Sequence, residues 1–365
     1  MNMFQKGLKG VVAVHTKVGL VDGDNGVLRY RGMDVKDLVL DYSFEEVAYF
    51  LLYDVLPSEI ELQEFHKKLI KGRKLPEYVC TIIDTLPTTV SVMDAMRTVI
   101  SAFGTTEFLQ KDKMEQAIYL TGALPVIIAR HYRKQQGFPL IEQNSDFSHT
   151  ENYLWMLQGT PPTSVQVKAL ETYLKLTMEH GLNASTFAAR VTISTESDVP
   201  AAITSAIGTM KGPLHGGAPA EVLNLLDEIK EEARIRPVIE EKLKNGEKVM
   251  GFGHRIYKTE DPRSILLREA CVRLQGSDPW LDLATKAEKE ITSLLEKYKP
   301  GRNLYTNVEF YAAAIMRSID MPAVLFTPTF SIARMVGWSA HILEQIEDAS
   351  LFRPQSLYVG DILTK

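Results

Sequence analysis

Three histidines stand beside glycine in segments that read as turns. They are His180 in Glu-His-Gly-Leu-Asn, His215 in Gly-Pro-Leu-His-Gly-Gly-Ala and His254 in Gly-Phe-Gly-His-Arg. A turn at the junction of helices exposes an imidazole where it can give or take a proton near neutral pH, and three such turns together point to acid–base work. The other five, His15, His66, His131, His149 and His341, fit structural places on strands and helix faces. The richest stretch runs from Lys248 to Arg263. Gly251 and Gly253 free its backbone to approach a ligand closely, while His254, Arg255, Lys258 and Arg263 suit phosphates or carboxylates. Asp261-Pro262 reads as a helix start, with Asp261 as N-cap and Arg263 projecting from the first turn.

Acid–base chemistry needs a carboxylate, and Glu309 in Tyr-Thr-Asn-Val-Glu-Phe-Tyr is the candidate. With Asn307 as N-cap, Glu309 falls in the first helical turn, where the positive end of the helix favours its ionised form. Two readings stand, a catalytic carboxylate or a residue that merely complements the helix end. Arg334 interrupts an apolar helix in Ser-Ile-Ala-Arg-Met-Val-Gly-Trp, so it must snorkel, pair with a carboxylate or hold a ligand. Arg353, before Pro354 in the tail, is uninformative locally. No two histidines have the i, i+4 spacing of a helical metal motif, and no Gly-x-Ser-x-Gly elbow offers a serine nucleophile.

These residues must be positioned mainly by helices. Residues 8–32 alternate β-branched residues with turn signals and read as one or two short hairpins, the only convincing β region. From Ser43 the period becomes helical. Ser43 with Glu46 and Ser58 with Glu61 make capping boxes, and the second helix should stop at Gly72. The pattern predicts helices over 77–86, 91–103, 112–136, 150–158, 164–179, 183–196 and 199–211, with a kink at Pro125. Helices near 219–232, 236–244, 262–274 and 281–298 follow, richer in Lys and Glu, as a smaller and more polar domain. A helix near 307–319 and an apolar segment over 323–346 lead into the tail.

A chain of 365 residues with 45% hydrophobic content is long enough for a large core and for two domains. A formal charge of -5 argues against a broad nucleic-acid or membrane surface but allows a small basic pocket. Cys80 and Cys271, far apart, suggest neither a disulfide framework nor zinc, and read as two buried thiols. The amino terminus lacks the pattern of a secretory signal, and no apolar run approaches the roughly 20 residues of a membrane span, so a cytoplasmic protein is expected.

Taken together the motifs resemble the citrate synthase family over nearly the whole chain. Four carry the likeness in order: Glu-His-Gly-Leu-Asn-Ala-Ser-Thr-Phe at 179–187, Gly-Pro-Leu-His-Gly-Gly-Ala at 212–218, Gly-Phe-Gly-His-Arg-Ile-Tyr-Lys-Thr-Glu-Asp-Pro-Arg at 251–263 and Asn-Val-Glu-Phe-Tyr at 307–311. Gly-Leu-Lys-Gly-Val at 7–11 and Tyr-Arg-Gly at 30–32 look like that family's start.

The resemblance implies a mainly α, two-domain fold with a short N-terminal β-hairpin region. Its large domain would comprise 1–220 and 321–365, and a small domain over 221–320 would be inserted on the CoA-binding side. It implies a homodimer rather than a longer hexameric member controlled by NADH. It also implies condensation of acetyl-CoA with oxaloacetate followed by hydrolysis of the citryl thioester, with no permanently bound cofactor. By motif, His215 would donate to the thioester oxygen, His254 would polarise the ketone, and Glu309 would remove the methyl proton. His180, Arg263 and Arg334 would hold the oxaloacetate carboxylates, with Arg353 reaching in from the partner. Val249, Met250, Gly251, Phe252 and Gly253 would meet the adenine, and Lys258 a CoA phosphate. Glu309 departs from the family's usual Asp, and Thr306 from its usual Pro. The same residues would serve 2-methylcitrate synthase with propionyl-CoA. A citryl-CoA lyase fits a 365-residue chain poorly. A weak oxaloacetate- or CoA-binding sensor is favoured only by Glu309.

Overall fold

The computed structural model describes residues 4–216, 218–254, 256–273 and 279–362. Helices dominate it, and the β structure is one small antiparallel sheet of three strands, β1 (Gly19–Asp22), β2 (Val27–Tyr30) and β3 (Met33–Asp34). Strands β1 and β2 form a single hairpin with Gly19 opposite Tyr30. Its turn is held by the Asp22 carboxylate, which accepts the N–H groups of Asp24 and Asn25. The expected hairpin pattern does not extend over 8–18, which lie outside the strands, after a single 3-10 turn at Lys6–Leu8.

Both predicted capping boxes form, Ser43 with Glu46 opening Phe44–Tyr53 and Ser58 with Glu61 opening Glu59–Arg73. Gly72 does not end that second helix. It lets the backbone meet Lys113–Gln135, since a Cβ there would lie 2.3 Å from the Tyr119 carbonyl, and one on Gly122 would lie 2.2 Å from that of Leu69. The long helix runs unbroken through Pro125, where the sequence predicts a kink, with the buried neighbours Leu124 and Ile127 packed into the core. Two helices escape the sequence pattern, Val35–Asp41 and the single turn Thr106–Leu109, although side chains of Asp34 and Thr105 cap them.

The remaining helices lie within a few residues of expectation: Glu77–Thr85, Val92–Ser101, His149–Gln158, Ser164–Thr177, Ala184–Ile193 and Val199–Met210. Ala218–Ile229, Ile235–Lys244, Pro262–Arg273, Pro279–Tyr298 and Val308–Ser318 then pack on one another, with Val308–Ser318 touching three of the others. The expected last residue of the 262–274 helix lies outside the described residues. Phe326–Asp348 is buried along most of its length and packs on Phe44–Tyr53, Lys113–Gln135, Ser164–Thr177, Ala184–Ile193 and Val199–Met210. Cys271 is buried as expected, but Cys80 is half-buried, and neither is in a disulfide.

Candidate active site

The sequence places His180, His215, His254, Arg263, Glu309 and Arg334 far apart along the chain; the fold makes them neighbours. His180 follows Ser164–Thr177 in a turn whose Gly181 has φ +61°. Asn183 then caps the next helix. The ring centroids of His180 and His254 lie 6.1 Å apart. His180 is buried, and burial, then Arg263 and Arg334, hold its pKa well below the usual imidazole range.

His254 is oriented by its own loop. Its Nδ1 accepts the backbone N–H groups of Ile256 at 3.0 Å and Tyr257 at 3.1 Å. An Nδ1 that accepts twice cannot carry the proton, so the neutral ring bears it on Nε2. Burial, then Arg263, pushes the pKa down to about 4, so the ring is a neutral donor at physiological pH. The approach of Arg263 Nη2 to that nitrogen at 3.3 Å is donor against donor.

Asp261 both starts the Pro262–Arg273 helix and orders Arg263. Its Oδ1 accepts the Arg263 N–H and Nε, each at 3.0 Å, and its Oδ2 accepts Nη2 at 2.8 Å. The pair is almost wholly buried, and a two-bond fork in such a place fixes the guanidinium plane.

Arg334 is the opposite case. It is 3% exposed, stacks on Phe330 at 4.8 Å, and its Nε and Nη1 are buried without a hydrogen-bond partner. Buried guanidinium N–H groups left unpaired cost about 1–3 kcal/mol each or more, and an anion would relieve that cost. Its charge is felt by His180, His215 and Glu309, which locates all of them around it.

His215 sits in a turn tied to the Phe326–Asp348 helix through the Thr327 hydroxyl, which donates to the Gly216 carbonyl. Gly216 is required there, because a Cβ would come within 2.3 Å of the Met210 carbonyl. His215 Nε2 lies 2.8 Å from Ser185 Oγ, which accepts from Trp338 Nε1 and lies 2.8 Å from Asn183 Oδ1. The single Ser185 proton goes to Asn183 Oδ1, which can only accept, so His215 Nε2 is the donor to Ser185 Oγ. Burial, then Arg334, lowers the His215 pKa to about 4.

Glu309 stands where Asn307 caps its helix, with Asn307 Oδ1 accepting the Glu309 N–H at 3.1 Å. Desolvation outweighs the opposing pull of Arg263 and Arg334, and the pKa rises to about 7. The glycine loop is stitched to this helix start. Gly253 N donates to the Tyr305 carbonyl at 2.7 Å, Asn307 N to that of Gly251 at 2.9 Å, and Asn307 Nδ2 to that of Gly253 at 3.0 Å. Gly251 and Gly253 have φ of +88° and +85°, so both take the backbone shape that glycine was expected to supply. In the same loop Val249 is buried, Met250 is half-buried and Phe252 packs on Phe310.

Two expected residues lie elsewhere. Lys258 is exposed and paired with Asp24 of the hairpin turn at 2.7 Å. Arg353 is exposed on the tail, whose Phe352 packs on Phe187. Arg255 lies outside the described residues. Sequence reasoning missed Ser185, Trp338 and Tyr257, and it saw Asp261 only as a cap. Their spacing carries no signal, because each acts through a partner distant in sequence or through a backbone bond.

Comparison with known proteins gives the family. The family described as "Citrate synthase, C-terminal domain" matches residues 7–355. Citrate synthase 2 of Bacillus subtilis is 39% identical, over 97% of this chain and 95% of that protein. The 2-methylcitrate synthase of Shewanella oneidensis is 36% identical, over 97% and 94%. The ternary complex of carboxymethyl coenzyme A and oxaloacetate with citrate synthase from Thermoplasma acidophilum superposes with a TM-score of 0.90 at 31% identity, covering 100% of this chain and 98% of that one. With the likeness running from end to end in both sequence and fold, this chain belongs to the citrate synthase family, whose members are acyltransferases that turn the acyl group into an alkyl group on transfer.

Proposed function

We propose that the protein condenses acetyl-CoA with oxaloacetate and water to give citrate and free CoA, using His215, His254 and Glu309 on the reacting atoms. The observation that carries this reading is the buried Arg334 guanidinium, with Nε and Nη1 unpaired, whose charge acts on His180, on His215 and on the Glu309 carboxylate with its raised pKa. Arg334, Arg263 and His180 hold the two carboxylates of oxaloacetate. His254 donates from Nε2 to the ketone oxygen, polarising the carbon to be attacked. Glu309 takes a proton from the acetyl methyl group, and His215 donates to the thioester oxygen as charge develops there. Attack of the enolate carbon on the ketone carbon forms the new bond, and the ketone oxygen takes its proton from the His254 side. Water then cleaves the thioester: its hydroxyl goes to the acyl carbon and its proton to the CoA sulfur, which leaves as the thiol, while the proton held by Glu309 is returned to His254.

The 249–253 loop meets the adenine, with Lys258 on a CoA phosphate. The 221–320 segment acts as a small domain that closes over the substrates and excludes water until the carbon–carbon bond is made. The chain works as a cytoplasmic homodimer in which Arg353 enters the partner's site. The exposed apolar residues of its tail, Leu351, Leu357 and Val359, support a partner for that segment. No described helix is long and apolar enough to cross a membrane.

Glu in place of the family's usual Asp lengthens the side chain by one methylene, and a misplacement of about 1 Å can cost about a hundredfold in rate. The reading is therefore a working but slow enzyme. The similarity to 2-methylcitrate synthases favours propionyl-CoA as the second substrate to try. One methylene in an apolar pocket is worth only about 1–3 kcal/mol, so both thioesters can turn over. The test is release of CoA thiol with oxaloacetate and either thioester, by the natural protein and by Glu309→Asp and Glu309→Gln. Glu309→Gln should lose turnover by a hundredfold or more, on the order expected for a general base. Turnover that survives that change overturns the base assignment, and tight oxaloacetate binding without any turnover moves the protein into the sensor class.

A further inference from the structure

Tyr257 touches each of three groups assigned to the keto acid. Its backbone N–H donates to Nδ1 of His254 at 3.1 Å. Its hydroxyl lies 3.0 Å from Nε2 of His180, and its ring centroid is 5.9 Å from the Arg263 guanidinium. The same ring packs beside both imidazoles, with centroids 4.9 Å from His254 and 5.6 Å from His180, and Tyr257 is 4% exposed.

We propose that Tyr257 is a positioning residue that sets the tautomers of both histidines, holding the His254 proton on Nε2 through its N–H and the His180 proton on Nδ1 through its O–H. The proposal rests on the oxaloacetate reading of the site and deepens it. The His254 half follows from geometry already given, since Nδ1 accepts two backbone N–H groups.

The His180 half follows from counting protons. A phenol and a neutral imidazole nitrogen 3.0 Å apart share one bond, and either could donate. Were Nε2 the donor, the phenol's own proton would be buried with no acceptor among the described residues, at a cost of about 1–3 kcal/mol. With the phenol as donor, Nε2 accepts and the proton of the neutral ring moves to Nδ1, the nitrogen that no described residue bonds and that is open to solvent or a ligand. Burial keeps the phenol protonated by raising its pKa, and burial with two nearby arginines keeps the ring neutral. Nδ1 of His180 has no bond to any described residue, so its proton is available to a ligand.

Both imidazoles then face the site as donors. That suits a ligand presenting only oxygen acceptors, such as a keto dicarboxylate. It opposes an amino group in the ketone's place, whose N–H bonds would meet N–H bonds. The tautomer is thus a selectivity device for keto acids over the corresponding amino acids.

The test uses protein labelled with 15N-histidine, free of substrate, in which imidazole nitrogen shifts report which nitrogen is protonated. His180→Asn and His254→Asn serve only to assign the signals. The natural protein should show His180 protonated on Nδ1 and His254 on Nε2. Tyr257→Phe keeps the ring and the backbone N–H and removes only the hydroxyl. It should shift His180 toward the other tautomer and leave His254 unchanged. It should also raise the oxaloacetate KM about tenfold while leaving the acetyl-CoA KM unchanged. A natural protein with His180 protonated on Nε2, or a Tyr257→Phe enzyme with an unchanged oxaloacetate KM, overturns the proposal. The tautomer is read without turnover and in the unaltered protein, so it decides the matter even if Tyr257→Phe folds poorly. Failure of the citrate synthase reading would show instead as absence of turnover in the natural enzyme.

Discussion

A carboxylate that takes a proton from carbon works best when its own affinity for protons is raised, and burial raises Glu309 from an ordinary value of 4.5 to about 7. The same shift acts against folding. The folded protein holds the Glu309 proton up to about pH 7, whereas the unfolded chain releases it near 4.5, so this stabilising contribution is complete below 4.5 and lost as pH rises to 7. Glu309→Gln should therefore be more stable than the natural protein at pH 8, by roughly 2 kcal/mol after allowing for partial exposure, and no more stable near pH 4. Thermal melts of the two proteins across that range check this. Turnover of the natural enzyme should rise as pH passes upward through about 7, while His215 and His254, held down to about 4, stay neutral throughout. From local sequence alone Glu309 reads better as a helix-end residue than as a base. What supports the base is burial beside Arg263 and Arg334, and no window around residue 309 contains either.

Among elements, the decisive contact is the stitching of the 249–253 loop to the start of Val308–Ser318. Asn307 both caps that helix and holds the Gly253 carbonyl, so it fixes Glu309 relative to the loop. Ser58 caps Glu59–Arg73 in a comparable way but is exposed. Ser58→Ala and Asn307→Ala should each cost about 1 kcal/mol of stability, while only Asn307→Ala loses turnover. Melting curves and CoA release measured on both variants separate the two roles. Elements were the most legible level of the sequence, because caps and apolar periods act over a few residues: both boxes, Asn307 and the Asp261-Pro262 start were all readable. Gly72 was not, since its reason is a carbonyl on another helix, 47 positions further on at Tyr119. The two strained glycines of the loop were readable as a site for the converse reason, that positive φ is a local property.

For the whole molecule, the proposed crossing of Arg353 into a partner's site has a consequence for mixed assemblies. Arg353→Ala and His254→Ala homodimers should each be nearly inactive. Refolding them together in equal amounts should restore about a quarter of the natural activity, because half the dimers then carry one site with both residues intact. No recovery on mixing would mean that Arg353 serves its own chain or neither. The proposed domain boundaries rest on a change in composition and on the resemblance, and the proposed partner geometry on the resemblance alone, since assembly leaves no periodic mark on a sequence. The unpaired Arg334 guanidinium reaches further still. A folded protein ordinarily closes its interior with its own atoms, but here two buried guanidinium nitrogens of the central helix stay open. In packing terms the proposed oxaloacetate would be the last side chain of that helix, delivered by diffusion instead of by translation. A ligand that binds only the folded form adds to its stability in proportion to the logarithm of its concentration above its Kd. The lifetime of the enzyme in a cell would then follow the supply of the compound it consumes.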